Sequence, residues 1–201
     1  LAPLILAAGG GESPCQSMGL SPALCAKYIG RRSMVACLNA SREAESMLPS
    51  RGQKLNIQVR NESKDDAEQI HLVTVRAFQD APHTDHTEQF IVKALREADA
   101  LFLSLVAESK GHIIGHVAIS PVRISDDTPN WLGLGPISVL PEYQGKGVGS
   151  KLMEHAIAEI REQGAAGCVV LGDPDYYGRF GFRVVDGLVF PGVPADYFQA
   201  L

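Results

Sequence analysis

The stretch that most constrains this chain is Gly135-Pro136-Ile137-Ser138-Val139-Leu140-Pro141-Glu142-Tyr143-Gln144-Gly145-Lys146-Gly147-Val148-Gly149-Ser150. It opens as an apolar strand, passes through a loop of alternating glycines and ends in the first turn of a helix. That helix, predicted over 148–163, carries Val148, Leu152, Met153, Ala156 and Ile160 on one face and stops at Gly164. Glycines allow close backbone approach and positive φ. The helix start adds unpaired N–H groups and the positive end of its dipole. Together they form a cradle for a phosphate or pyrophosphate. Two familiar cradles are excluded. A Walker A loop requires Lys followed by Ser or Thr, and Lys146 is followed by Gly147. A dinucleotide fingerprint requires G-x-G-x-x-G, and the glycines stand at 145, 147 and 149.

Around this loop the periodicity places the other elements. Residues 55–60 alternate apolar and polar, as a half-buried strand does. A helix over 63–78 starts at Ser63, with Ala67, Ile70, Val73 and Ala77 at helical spacing, and a second spans 87–98. Strands over 101–107 and 113–119 join at Ser109-Lys110-Gly111, a hairpin signal. Further strands are expected at 131–140, 168–171 and 182–185, with one or two helical turns at 174–180. The order predicts a mixed α/β domain with helices on both faces of a central sheet. Pro136 inside an apolar strand removes a ladder hydrogen bond and so marks an edge, bulge or splay.

The pattern Gln144-x-x-Gly147-x-Gly149 resembles the pyrophosphate loop of the GNAT acyltransferase superfamily. The later stretch Leu171-Gly172-Asp173-Pro174-Asp175-Tyr176-Tyr177-Gly178-Arg179-Phe180-Gly181-Phe182 is similar to that superfamily's tyrosine-bearing helix before a Gly-Phe corner. Its wording is closest to the YhbS-like branch of predicted N-acetyltransferases, and the resemblance covers about residues 55–200. It implies a mixed, mostly antiparallel central sheet with a splayed pair of strands and helices on both faces. It further implies acetyl-CoA as cosubstrate and a primary amine, small molecule or protein, as acceptor. The pyrophosphate would lie on Gln144, Gly145, Lys146, Gly147, Val148 and Gly149, with Ser150 close by. The backbone of Ile137 and Val139 would bond the pantetheine amides, and Tyr177, five residues before Phe182, would be the general acid. Tyr176 is the adjacent rival. Two other readings stand beside this one: an acyl-CoA-binding module without transfer activity, and a truncated product without function.

Composition narrows the partners. A net charge of −5 without basic runs gives no electrostatic reason for nucleic-acid binding. No apolar run reaches the roughly 18 residues a membrane span needs. Cys15, Cys25, Cys37 and Cys168 match no zinc or redox spacing. They read as free thiols in a reducing cytoplasm, with an N-terminal disulfide pair as the alternative. Asp80, His83, Asp85 and His86 cluster in sequence, but their polar loop reads as a solvated helix junction, and no metal is expected. Residues 1–52 lack a sustained period and read as an irregular or artificial extension, with Met47 a plausible natural start. The piece 4–11 resembles the glycine loop of sugar nucleotidyltransferases but lacks the basic residue that should follow. The domain is expected over 53–201, lacking a last strand beyond 193–198 unless another segment replaces it. An open edge at 182–185 would then favour a homodimer or cover from residues 1–52.

A base would neutralise the amine and an acid would protonate the leaving thiolate. Glu108, His116, Glu142 and Asp173 are candidate bases. His116 reads mainly as a bonded strand residue, Glu142 as solvated beside the loop, and Asp173 as a turn cap. Water is an equal candidate. Trp131 reads as core or strand edge rather than a substrate platform.

Overall fold

The structure, a computed structural model, describes residues 55–81 and 86–201. The expectations for residues 1–52, for Met47 and for the N-terminal cysteines lie outside the described residues, as do His83 and Asp85.

Six strands form one sheet in sequence order: β1 (Gln58–Asn61), β2 (Leu103–Ser109), β3 (His112–Val122), β4 (Trp131–Val139), β5 (Gly167–Leu171) and β6 (Phe198–Ala200). Every neighbouring pair is antiparallel except β4 and β5, which are parallel. Parallel strands need a long crossover, and α3 (Val148–Glu162) supplies it. The first helix, α1 (Ala67–Phe78), and α2 (Glu88–Glu97) precede β2, and the short α4 (Pro174–Tyr177) follows β5.

The faces of the sheet follow from the period of two along β3. Gly115 faces α3: a Cβ there would lie 3.0 Å from a Val148 methyl and 3.1 Å from Leu152. The next residue, His116, faces the other way. Its β4 partner Ser138 donates from Oγ to Thr74 Oγ1 on α1 at 3.3 Å. Thus α1 and α3 cover opposite faces. The α3 stripe of Val148, Leu152, Met153, Ala156, Ile157 and Ile160 is buried, each large side chain contributing about 1.5–3 kcal/mol. A second cluster of Val122, Val169, Phe198 and Ala200 is packed by Ile124, Trp131, Leu188 and Phe190. Trp131 is therefore core, and its ring lies against Gly167.

Pairing between β4 and β5 runs only from Trp131–Gly167 to Leu134–Val170. On its other side β4 bulges: Ile119 pairs Leu134 and Val117 pairs Ile137, so β4 holds one residue more than β3 across that step. Gly135 takes φ +148° there and joins Pro136 through a cis peptide. The bulge redirects β4 where β5 ends, and the two strands separate.

The chain's end differs from expectation. Residues 182–185 do not form a strand; Arg183 makes a single bridge to Ala200. The strand beside β5 is Phe198–Ala200, with Phe198 opposite Leu171 and Ala200 opposite Val169. Chain beyond Tyr197 thus takes the place next to β5, and the homodimer loses the support it drew from a full edge strand at 182–185.

Candidate functional site

A cleft of about 710 Å³ opens where β4 and β5 part. Along β4, Leu140 N–H donates to Ile114 O on β3 at 3.0 Å. Strand alternation then turns the backbone groups of Ser138 towards β3 and those of Ile137 and Val139 towards the gap. Both residues line the cleft. The Val139 carbonyl accepts from Gln144 Nε2 at 3.0 Å, which anchors the loop to the strand it leaves.

The loop then turns twice through left-handed conformations, Gly145 at φ +69° and Gly147 at φ +84°. Gly147 is the N-cap of α3. A Cβ at either glycine would meet nothing within 4 Å, so these positions need glycine for backbone conformation and leave the space above the helix start clear. Gln144, Gly145, Gly147, Gly149 and Ser150 line the cleft. Lys146 places its ammonium 5.6 Å from the Tyr143 ring centre, and the Val148 side chain is buried under the helix. For these two, only the backbone faces the cradle question.

Asp173 caps α4, accepting from Asp175 N–H at 2.9 Å, as its sequence position suggested. The two tyrosines that follow part company. The Tyr176 hydroxyl reaches the first turn of α3, 2.6 Å from where a Gly149 Cβ would stand. Arg179 stacks on its ring at 4.6 Å. Tyr177 lies instead against Gly172, where a Cβ would collide with the ring, and meets Phe182 edge-on at 5.9 Å. Gly172 is the clearance Tyr177 needs. Burial raises the Tyr177 phenol well above its ordinary value, with Tyr176 and Asp173 adding to it, so the group is a neutral donor at physiological pH.

The candidate bases are occupied. Glu108 pairs with Arg60 at 3.1 Å. Glu142 is tied to Arg76 at 3.2 Å and is mostly buried rather than solvated. His116 is fully buried and hydrogen-bonds Ser104 at 2.8 Å. Ser104 also donates to Glu62, which binds Arg96 at 2.8 Å. Burial lowers the His116 pKa to about 4, with Glu62 opposing and Arg96 adding to the fall. Cys168 is a buried free thiol pushed up to about 12 by burial. Among the described residues no group of three or more His, Cys, Asp or Glu is placed to hold a metal ion. Among them, too, no helix is long and apolar enough to cross a membrane.

Some lining residues were not legible as site residues in the sequence. Phe78 looked like a helix end and Arg179 like part of a corner. Ser120 fell just past the strand expected over 113–119 and carried no signal of its own. All three line the cleft.

The comparisons with known proteins agree with this geometry. The acetyltransferase (GNAT) family profile matches residues 60–182. The uncharacterized N-acetyltransferase YhbS of Escherichia coli K12 is 36% identical over 127 residues, covering 63% of this chain and 73% of that protein. The uncharacterized N-acetyltransferase YjhQ of the same strain is 36% identical over 138 residues, covering 67% and 72%. A GNAT family acetyltransferase from Brucella melitensis, solved in complex with acetyl-CoA, is 46% identical with a TM-score of 0.65, covering 73% of this chain and 87% of its own. YhbS from Escherichia coli, solved in complex with CoA, is 32% identical with a TM-score of 0.66, covering 76% and 84%. With more than half its length inside the family profile and its sheet splayed beside a glycine loop, this chain belongs to the acetyltransferase (GNAT) family.

Proposed function

We propose that the chain transfers an acetyl group from acetyl-CoA to a primary amine by direct attack on the thioester. The observation that carries this is the continuity of one cleft, from the gap between β4 and β5 to the glycine loop at the start of α3. The acetyl-CoA and CoA complexes of the two similar proteins support the choice of cofactor.

In this reading the backbone N–H groups of Gly145, Lys146, Gly147, Val148 and Gly149 take the pyrophosphate at the helix start, with Ser150 beside it. The Gln144 N–H, expected among them, is donated to Pro141 O at 3.2 Å, and Gln144 serves instead through its side-chain tie to Val139. The pantetheine arm follows the open edge of β4 and bonds Ile137 and Val139 as a further strand would. That path brings the thioester towards Gly135, near the point where β4 and β5 join. The amine nitrogen attacks the carbonyl carbon, the tetrahedral intermediate collapses and the C–S bond breaks. Tyr177 donates its phenolic proton to the departing sulfur. The position of its ring against Gly172, away from the first turn of α3, favours it over Tyr176. No described side chain is assigned as base, and water receives the proton from nitrogen. We place this activity in the cytoplasm, where free thiols persist.

The test is release of CoA thiol from acetyl-CoA with a panel of primary amines. Amine-dependent release supports transfer. Tight CoA binding with no release for any amine makes the chain a binding module.

A further inference from the structure

The α1 face of the cleft holds a hydroxyl that opens into the cleft and that the fold does not use. Ser120, on β3, is 4% exposed and lines the cleft with Phe78, Gly133, Leu134, Gly135 and Pro136. Strand alternation puts it on the same face as His116, and it pairs with Gly133 of β4, which has no side chain to roof it. Other hydroxyls on this face are engaged. Thr74 donates to Ile70 O at 2.8 Å, Ser138 to Thr74, and Ser104 to Glu62. Among the described residues Ser120 Oγ has no hydrogen-bond partner. Its oxygen is not among the polar side-chain atoms sealed from solvent, so it opens into the cleft and is available there to bond a ligand or water.

The location is specific. Ser120 sits one residue along β3 from Ile119, whose partner Leu134 is the last β4 residue paired with β5. This is the closed end of the cleft, where the proposed path puts the thioester. We propose that Ser120 binds the acceptor, its Oγ accepting a hydrogen bond from the attacking nitrogen so that the nitrogen lone pair faces the thioester carbon. The surrounding Phe78, Leu134 and Pro136 are apolar, so the carbon that carries this nitrogen is aliphatic or aromatic rather than flanked by a carboxylate. The inference rests on the transfer reading above. The N–C bond forms and the C–S bond breaks, sulfur takes a proton from Tyr177, and nitrogen loses one to water. Ser120 neither gains nor loses a proton.

The test uses CoA and a conjugate, CoA carrying an N-propylcarbamoylmethyl group on sulfur, whose amide N–H mimics the attacking nitrogen. Affinities are measured by calorimetry for wild type, Ser120→Ala and Ser120→Thr, with melting temperatures as a check on folding. Wild type should bind the conjugate more tightly than CoA. Ser120→Ala should weaken conjugate binding by about threefold to tenfold, the value of one neutral hydrogen bond, and leave CoA affinity unchanged. Ser120→Thr, which keeps the hydroxyl, should recover most of the loss. Equal conjugate affinity in Ser120→Ala and wild type, or an equal fall for CoA and conjugate, overturns the role of Ser120 alone. Absence of CoA binding in wild type overturns the proposed function and this role together.

Discussion

At its outer end the cleft is built from consecutive residues, Gln144 to Ser150, and mostly from their backbone. At its closed end the lining comes from Phe78 on α1, Ser120 on β3 and Pro136 on β4, residues far apart in sequence and chosen for their side chains. The two constructions respond differently to change. A backbone cradle depends on left-handed glycines and a helix start, and tolerates most side chains that point away, such as Lys146. It does not tolerate new bulk or charge above the helix. A side-chain pocket tolerates small shifts in backbone, and its selectivity is set by single groups. A shared cofactor end with a variable acceptor end is what one fold needs to serve many acceptors.

Four perturbations sharpen this contrast. The largest effect should come from Tyr177→Phe, which removes the proposed acid between the two ends. Turnover should fall by about 10²–10⁴, with acetyl-CoA affinity nearly unchanged. If Tyr176→Phe produced that loss and Tyr177→Phe did not, the roles of the two tyrosines would be reversed.

Next in size is Arg96→Met. It leaves the Glu62 carboxylate beside Ser104 and His116 without its cation. The pair is partly buried, with side-chain exposures of 28% and 17%, so a stability loss of about 1–3 kcal/mol is expected in urea denaturation. CoA affinity should not change, because none of Glu62, Arg96, Ser104 and His116 lines the cleft. A loss of affinity at constant stability would place the layer in the site.

A smaller and graded effect concerns pH. His116 is a base whose pKa falls from 6.5 to about 4 on folding. The unfolded chain therefore binds a proton first as pH drops. The stability contribution is complete above about pH 6.5, declines as pH falls towards about 4 and is constant below that. His116→Gln should flatten this part of the stability curve. An unchanged slope in that variant would assign the titration to another group.

The smallest effect should follow Gly149→Ala. The new methyl would press on the Tyr176 hydroxyl at 2.6 Å, and the ring must turn aside. Overpacking of this kind costs about 1–3 kcal/mol. Part of it is relieved by movement of the side chain, so acetyl-CoA affinity should fall only severalfold. Affinity equal to wild type would show that the Tyr176 hydroxyl yields freely.

The same contrast explains what could be read from the sequence. Gly145, Gly147 and Gly149 are local: their spacing alone encodes the loop, and Pro136 marks the splay beside it. The ground the sequence offers for proposing Tyr177 over Tyr176 is its offset from Gly181-Phe182. Ser120 and Phe78 reach the cleft only through strand pairing and helix packing, which no local spacing records. Glu142 looked solvated because its partner, Arg76, is distant in sequence. The run 182–185 has strand-like composition, yet Ala200 takes the place beside β5 and leaves Arg183 a single bridge. Competition between two segments for one sheet position is a tertiary outcome.

The central claim is that the loop between β4 and α3 holds the cofactor's pyrophosphate. Calorimetric titration of acetyl-CoA into wild type and Gly147→Asp tests it most directly. Gly147 has φ +84° and nothing within 4 Å of a new Cβ, so aspartate fits at a backbone cost of about 1–2 kcal/mol and the domain should stay folded. Its carboxylate would stand at the helix start and oppose a phosphate there. The account predicts saturable binding by wild type and a loss of about a hundredfold or more in the variant, since even one unit charge at 4 Å costs several kcal/mol near a protein surface. Unchanged affinity in a folded Gly147→Asp variant would contradict it.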